Sequence, residues 1–187
     1  MIGNDVVHLP TARKESNPFR PGWIDKVFSV SEQSFLYDCR NKEISLWTLW
    51  SIKEATYKIH QRQFKLKPIF NPKDIEVDCS SVTGGSAKSR IGGKKYSIRY
   101  QYQSECIHSI ARISSEQAFT EYSNQSNLFP LCHSKQIFDK QYTIQKLEYN
   151  IPVVKCRLTG KQIPVSVSHH GTFWIAVVPL VSASYWH

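Results

Sequence analysis

The sequence predicts an α+β protein in which an antiparallel sheet packs against helices, and three observations carry that prediction. Residues 43–63, "EISLWTLWSIKEATYKIHQRQ", run without Gly or Pro and predict one long helix. Segments 74–80, 94–103 and 106–114 are rich in β-type residues and predict strands close together in the chain. Near the end, "IPVSVSHHGTFWIAVVPL" (163–180) alternates, turns at His170-Gly171 and resumes, which is the pattern of an antiparallel hairpin.

The other elements follow in order. Residues 2–9 read as a strand, and "TARKESNPFRPGW" (11–23), with two prolines and a glycine, reads as a loop. In "SVSEQSFLYDCR" the spacing of Ser29 and Glu32 is that of a capping box, which starts a helix near residue 30. Pro68 and Pro72 stop the long helix. "GGSAKSRIGG" (84–93) reads as a flexible loop. It is not a phosphate-cradling P-loop, because no glycine stands five residues before Gly92 or Gly93 and Lys94 is followed by Lys95. The polar stretch 115–134 reads as a linker, and a helix is expected over 136–148. The expected organisation is a larger lobe, 1–114, the linker, and a smaller lobe, 135–187.

Composition narrows the classes of function. With 41% hydrophobic residues in 187, the chain has ample material for a packed core. Lys and Arg outnumber Asp and Glu by 24 to 15, a net charge of +9 that favours anionic partners. These charges are scattered, unlike a disordered basic tail. The five cysteines are widely separated and form no C-x-x-C pair, which argues against a zinc ribbon or a thioredoxin-type site. No signal-peptide pattern and no membrane-spanning apolar run is seen, so a reduced, cytoplasmic protein is expected, without a membrane partner.

Three stretches carry chemistry. In "IGNDVV" the strand-like run contains Asp5, and a buried carboxylate costs several kcal/mol unless paired or bound to a metal. Taken alone, Asp5 reads as a strand-ending turn residue. On the long helix, Glu54, Lys58 and Arg62 fall at i, i+4 and i+8 with Trp47 and Trp50 on the same side. An exposed salt-bridge row is the ordinary reading of that ridge, whereas the tryptophans point to partial burial, where the carboxylate needs Lys58 or a metal as its cation. "VSVSHHG" places Ser168, His169 and His170 beside Gly171, either as turn residues or as phosphate and proton-handling groups.

Taken together, "IGND", "WSIKEATYK" and "PVSVSHHGTFWIAVV" resemble the 4′-phosphopantetheinyl transferases, whose hallmarks are G-x-D, W-x-x-K-E-A/S-x-x-K and a Ser-His segment before an apolar strand. The resemblance touches most of residues 1–113 and 150–180. It implies transfer of the 4′-phosphopantetheine arm from coenzyme A to a serine of an apo acyl or peptidyl carrier protein, releasing 3′,5′-adenosine bisphosphate. It implies Mg²⁺ on Asp5 and Glu54, with Glu54 as base directly or through water and Lys58 on the phosphate. Ser168 and His169 would hold the 3′-phosphate or adenosine part of coenzyme A, with Lys161 as a further phosphate contact.

The Ser-His segment follows G-x-D, as in the short, trimeric holo-acyl-carrier-protein synthases. The greater length and the expected extra strand at 106–114 point instead to a permuted enzyme of two pseudo-symmetric lobes, expected as a monomer, with a trimer as the alternative. Two departures stand out: Val7 occupies the place of a second acid, and Asn150 precedes Pro152 where the family has glycine. Arg13, Lys14 and Arg20 are the expected docking charges for an acidic carrier helix. The competing reading is a nucleic-acid-binding module presenting Lys94, Lys95 and Arg99 interleaved with Tyr96, Tyr100 and Tyr102; no nucleic-acid partner is expected. A non-catalytic member of the same family is the third reading.

Overall fold

A computed structural model describes residues 1–125 and 132–180. In chain order, numbering strands and helices separately, the first half contains β1 (Ile2–His8), α1 (Leu9–Glu15), α2 (Trp23–Val27), α3 (Val30–Asp38), α4 (Lys42–Phe64), β2 (Ile75–Thr83), β3 (Ser86–Ile91), β4 (Lys94–Gln103) and β5 (Cys106–Arg112). The second half contains β6 (Phe119–Ser123), β7 (Cys132–Ser134), α5 (Lys135–Gln141), β8 (Tyr142–Lys146), β9 (Pro152–Cys156), β10 (Gln162–Pro164), β11 (Ser166–His170) and β12 (Phe173–Pro179).

Strands β1 to β5 form an antiparallel sheet in the order β1-β5-β4-β3-β2. Helix α4 lies across it. The Asn41 side chain accepts from the Ile44 amide at its start, and Lys65 in the left-handed region, φ 49°, ends it. Leu46, Leu49, Ile52, Ala55 and Ile59 are all at most 1% exposed and meet Val77, Ala87, Tyr96, Ile98 and Ile107 of the sheet. This is the main core, and its burial is what holds α4 in place.

A buried ion pair fixes the rotation of α4. Lys53 Nζ lies 2.7 Å from Glu32 Oε2, both side chains fully buried, and also bonds the carbonyls of Val27, Pro72 and Ile75. Glu32 in turn accepts from the amides of Ser29 and Val77, so the expected capping box of α3 forms and reaches on to β2.

The second layer is a four-stranded sheet, β11-β12-β6-β7, and beyond it a three-stranded one, β10-β9-β8. Strand β1 separates the two cores. Its Gly3, Asp5 and Val7 face α4, while Ile2 and Val6 pack with Cys106, Ile110, Phe173, Ile175 and Val177. Gly3 is required, because a Cβ there would fall on the Ala55 carbonyl oxygen and the Ile59 amide nitrogen of α4. Parallel to β1 runs β11. The amides of Asn4, Val6 and His8, which point away from β5, donate to Ser166 Oγ (2.7 Å), Ser168 Oγ (3.2 Å) and His170 Nδ1 (3.2 Å). Side chains at every second position thus splice the two sheets.

Several expectations are corrected. Residues 84–93 contain β3: between its glycine pairs, Ala87 and Ser89 turn inward while Lys88 and Arg90 point out. The loop expected over 11–23 overlaps α1, where the proline sits in the first turn and costs no hydrogen bond. The helix expected over 136–148 ends at Gln141, because Tyr142–Lys146 pairs with β9. Within 115–134, expected as linker, β6 pairs with β12 and with β7; residues 126–131 of that stretch lie outside the described residues. Strand β4, the segment of the competing nucleic-acid reading, is interior to its sheet, and its Tyr96 is buried against α4 with its hydroxyl on His60 and Gln63.

Replacing one partner of the buried pair leaves the other charge without its counter-ion. Lys53→Met should cost about 3–5 kcal/mol of unfolding free energy in urea titration, with the double variant Glu32→Gln, Lys53→Met recovering part of it. A loss below about 1 kcal/mol, the range of an exposed pair, would contradict this role.

Candidate active site

Where β1, the middle of α4 and the end of β11 converge lies an open cleft of about 380 Å³, within the size range of small-molecule sites. It is lined by Asp5, Val6 and Val7, by Trp47, Trp50, Glu54 and Lys58, and by residues 167–170. Each side chain is placed by the fold just described. The absent Cβ of Gly3 lets β1 approach α4 closely enough for Asp5, two residues on, to reach Lys58.

Asp5 is the fixed point. Its Oδ1 accepts from Lys58 Nζ at 3.0 Å and from Ser168 Oγ at 3.1 Å, and its carbonyl takes the Ser51 hydroxyl at 3.3 Å. Lys58 Nζ is also 3.4 Å from Ser168 Oγ. Glu54, one helical turn before Lys58, faces the same cleft. Its carboxyl is pushed up to about 7, first by burial and then by the Asp5 charge, with Lys58 pulling the other way. Two carboxylates and one ammonium therefore line the same cleft, with Lys58 in contact with Asp5.

The far end is closed by α1 and the hairpin turn. His170 Nδ1 accepts from the His8 amide and Nε2 lies 3.5 Å from Glu15, while His8 Nδ1 meets Thr11 Oγ1 at 2.8 Å. Gly171, at φ +57°, fits beneath them because a Cβ would run into Thr11 and His8. His169 alternates to the exposed side of β11 and lines the cleft there. On the α4 side, Trp47 and Trp50 form an aromatic wall continued by Trp23 and Phe70, with ring centroids 5.7 Å from Trp50 in each case.

The residues singled out in the sequence fall into two groups. Asp5, Glu54, Lys58, Ser168 and His169 come together in the cleft although they are up to 164 residues apart in the chain. Lys161 does not join them, since it lies on the exposed connection between β9 and β10. Arg62 continues the ridge but is buried away from the cleft, its pKa lowered to about 10 by desolvation. Arg13 is held by Glu43 at 2.8 Å and Glu105 at 2.9 Å, tying α1 to the start of α4 and the β4–β5 turn, and so is engaged within the chain. Sequence reasoning missed the contributions of Ser51 and Ser166 and the hydrogen bond of His170 to β1. The signal for the latter two is the alternating S-x-S-x-H of "SVSHH".

The donor chemistry suits Mg²⁺. Among the described residues no group of three or more His, Cys, Asp and Glu is arranged to hold a metal, and the carboxylates lining this cleft are Asp5 and Glu54. Mg²⁺ keeps several waters and is held by one or two carboxylates plus substrate phosphates, which matches two carboxylates in an open cleft.

The α+β fold thus brings an aspartate on its first strand, a Glu/Lys helix and a Ser-His strand end together around one open cleft. Residues 1–121 match the family model of the 4′-phosphopantetheinyl transferase superfamily, and the chain belongs to that superfamily. It is 33% identical over 69 residues to the holo-[acyl-carrier-protein] synthase of Mycoplasmopsis pulmonis, a stretch covering 37% of this chain and 60% of that protein. The chain thus spans about 60% of the length of that curated relative. Among solved structures, the Chronobacterium ammoiniagenes apo-ACPS structure overlays with TM-score 0.47 and 20% identity, covering 59% of this chain and 93% of that one. The Thermotoga maritima holo-[acyl-carrier-protein] synthase overlays with TM-score 0.46 and 9% identity, covering 81% and 83%.

The raised Glu54 pKa has a stability consequence with a definite sign. A carboxyl that holds its proton more tightly folded than unfolded stabilises the fold below its ordinary value of 4.5, and that contribution is lost as pH rises through about 7. In EDTA, the melting temperature of the wild type should fall relative to Glu54→Gln between those two pH values. Parallel curves across that window would show that Glu54 titrates normally.

Proposed function

We propose that this chain transfers the 4′-phosphopantetheine group from coenzyme A to a serine of an apo carrier protein, with Mg²⁺ as cofactor. The observation that carries the reading is the meeting of Asp5, Glu54 and Lys58 with Ser168 and His169 in one cleft of phosphate-handling size. Family membership supports the same chemistry.

In this reading the carrier serine oxygen forms a bond to the β-phosphorus of coenzyme A, and the bond from that phosphorus to the leaving oxygen of 3′,5′-adenosine bisphosphate breaks. Glu54, directly or through a water, takes the serine proton. Lys58 turns to the diphosphate and offsets charge that builds on its oxygens. Asp5 and Glu54 would hold Mg²⁺, whose charge would offset that of the diphosphate. Ser168 and His169 contact the 3′-phosphate or adenosine portion of coenzyme A. Lys161, remote from the cleft, is not part of the proposal.

One chain supplies all these side chains, which favours an active monomer over a site shared between subunits. The division into lobes 1–114 and 135–187 belongs to the same proposal, as does a cytoplasmic location. Among the described residues no helix is long and apolar enough to cross a membrane. A nucleic-acid surface on β4 is disfavoured, because Tyr96 is committed to the core beneath α4.

Incubation with coenzyme A, Mg²⁺ and an apo-acyl carrier protein, followed by intact mass, should show a phosphopantetheine adduct on the carrier. Asp5→Ala and Glu54→Ala should each abolish it while remaining folded by circular dichroism, and full activity in either would remove the metal assignment. His169→Ala should raise KM for coenzyme A more than it lowers kcat. If dephospho-coenzyme A separates wild type from that variant as strongly as coenzyme A does, the 3′-phosphate contact is wrong. Size-exclusion chromatography should place activity in the monomer peak; activity confined to a trimer would reverse that part.

A further inference from the structure

Asp5 and Lys58 differ in how firmly they are held. The backbone around Asp5 is fixed on both sides, by pairing with Ser109 of β5 and by the bonds of the Asn4 and Val6 amides to Ser166 and Ser168. The Ser51 hydroxyl anchors its carbonyl, and its side chain is only 10% exposed. Lys58 reaches Asp5 by a four-carbon stem that is 21% exposed and open to the cleft. Its ammonium contacts Oδ1, an oxygen that a metal on Asp5 is well placed to use, and Ser168 is the other group within hydrogen-bond distance of it. A divalent cation placed on Asp5 and Glu54 would lie against this ammonium, and like charges a few ångströms apart in a partly buried cleft repel strongly. Among the described residues, Asp5 is the carboxylate within salt-bridge distance of this ammonium.

We infer that Lys58 occupies the cation seat at Asp5 until substrate arrives, so that divalent metal and the diphosphate of coenzyme A bind as one coupled unit. The diphosphate supplies what the cleft lacks: a new anionic partner for Lys58 at the moment metal displaces it. This inference rests on the function proposed above and adds an order of events to it. Metal alone binds weakly, coenzyme A draws Lys58 off Asp5, and by linkage metal tightens coenzyme A by the same factor. In this structure the Ser168 hydroxyl donates to the same Asp5 Oδ1 that Lys58 holds.

The test uses the full chain stripped with EDTA, with no carrier protein so that no turnover occurs, and Mn²⁺ as the metal probe followed by the electron paramagnetic resonance of the free ion. For the wild type, coenzyme A should tighten Mn²⁺ binding about tenfold or more, after correction for Mn²⁺ bound by coenzyme A itself, and inorganic diphosphate should reproduce part of the effect. Lys58→Met should bind Mn²⁺ alone about tenfold more tightly than the wild type and lose most of the coupling. Lys58→Arg, which keeps a cation on Asp5, should behave like the wild type. Equal Mn²⁺ affinity with and without coenzyme A in the wild type would overturn the inference. So would a Lys58→Met variant that binds Mn²⁺ alone no more tightly. An Asp5→Asn variant separates the two levels: if it abolishes Mn²⁺ binding while Lys58→Met changes nothing, the exchange alone fails, and if it leaves binding unchanged in every arm, the metal assignment fails as well.

Discussion

The fully buried pair of Lys53 and Glu32 is the constraint on which the rest of the molecule turns. Desolvation pulls the Lys53 ammonium down, and only Glu32 with three backbone carbonyls makes the burial tolerable. These partners come from the last residue of α2, from α3 and from the entry to β2, so one ammonium draws three separate pieces of chain onto α4. Glu54 is the next residue along α4. With Lys53 committed to the interior on one side of the helix, Glu54 and Lys58 are rotated toward β1, and the cleft inherits its geometry from a bond that never touches it.

The second condition is distance. A strand and a helix ordinarily keep the separation that their side chains impose, but β1 presents Gly3 at the crossing and meets the backbone of α4 directly. Aspartate and lysine therefore stand at 3.0 Å rather than across a solvent gap. On the opposite face of the same strand, Asn4 enters a polar seam: its amide reaches the Ile175 carbonyl and lies 3.4 Å from His108, whose other ring nitrogen faces Glu121. Glu121 is buried and held ionised by His108 and Arg99 against the cost of desolvation. Strand β1 is thus clamped polar-on-polar at its centre and apolar at its flanks, which leaves Asp5 little freedom.

Much of this is legible in the sequence, for physical reasons that differ by element. Helix α4 announces itself through a long run free of breakers, and α3 through a capping box whose two hydrogen bonds are local. The hairpin of β11 and β12 is carried by alternation around a glycine. Strand β3 is hidden because its flanking glycine pairs look like flexibility, whereas they serve two tight turns around an alternating hexapeptide. The end of α5 is hidden for a different reason, since nothing in residues 142–146 forbids a helix and only pairing with β9 decides otherwise. In the site, Asp5, Glu54, Lys58 and the Ser-His segment are recognisable by type and order. The bond of Ser168 to Asp5 is not, because a contact across 163 positions leaves no local trace. Lys161 illustrates the converse: nearness in sequence to a motif says little when a strand of three residues and a bend intervene.

The side-chain ladder from β11 to β1 has one more effect, on how the molecule meets other chains. As the outermost strand of its sheet, β1 would present a row of unclaimed amides, the usual template for recruiting a foreign strand. Ser166, Ser168 and His170 claim those at Asn4, Val6 and His8 without contributing a backbone ladder. The opposite border, β2, relies on other means: an irregular register between Asp78 and Thr83, and outward-facing Glu76 and Asp78. A hydroxyl or an imidazole can seal a sheet as effectively as another strand does, while leaving the space beyond it open. That is why this border of the sheet can be at once closed to aggregation and the floor of a cleft.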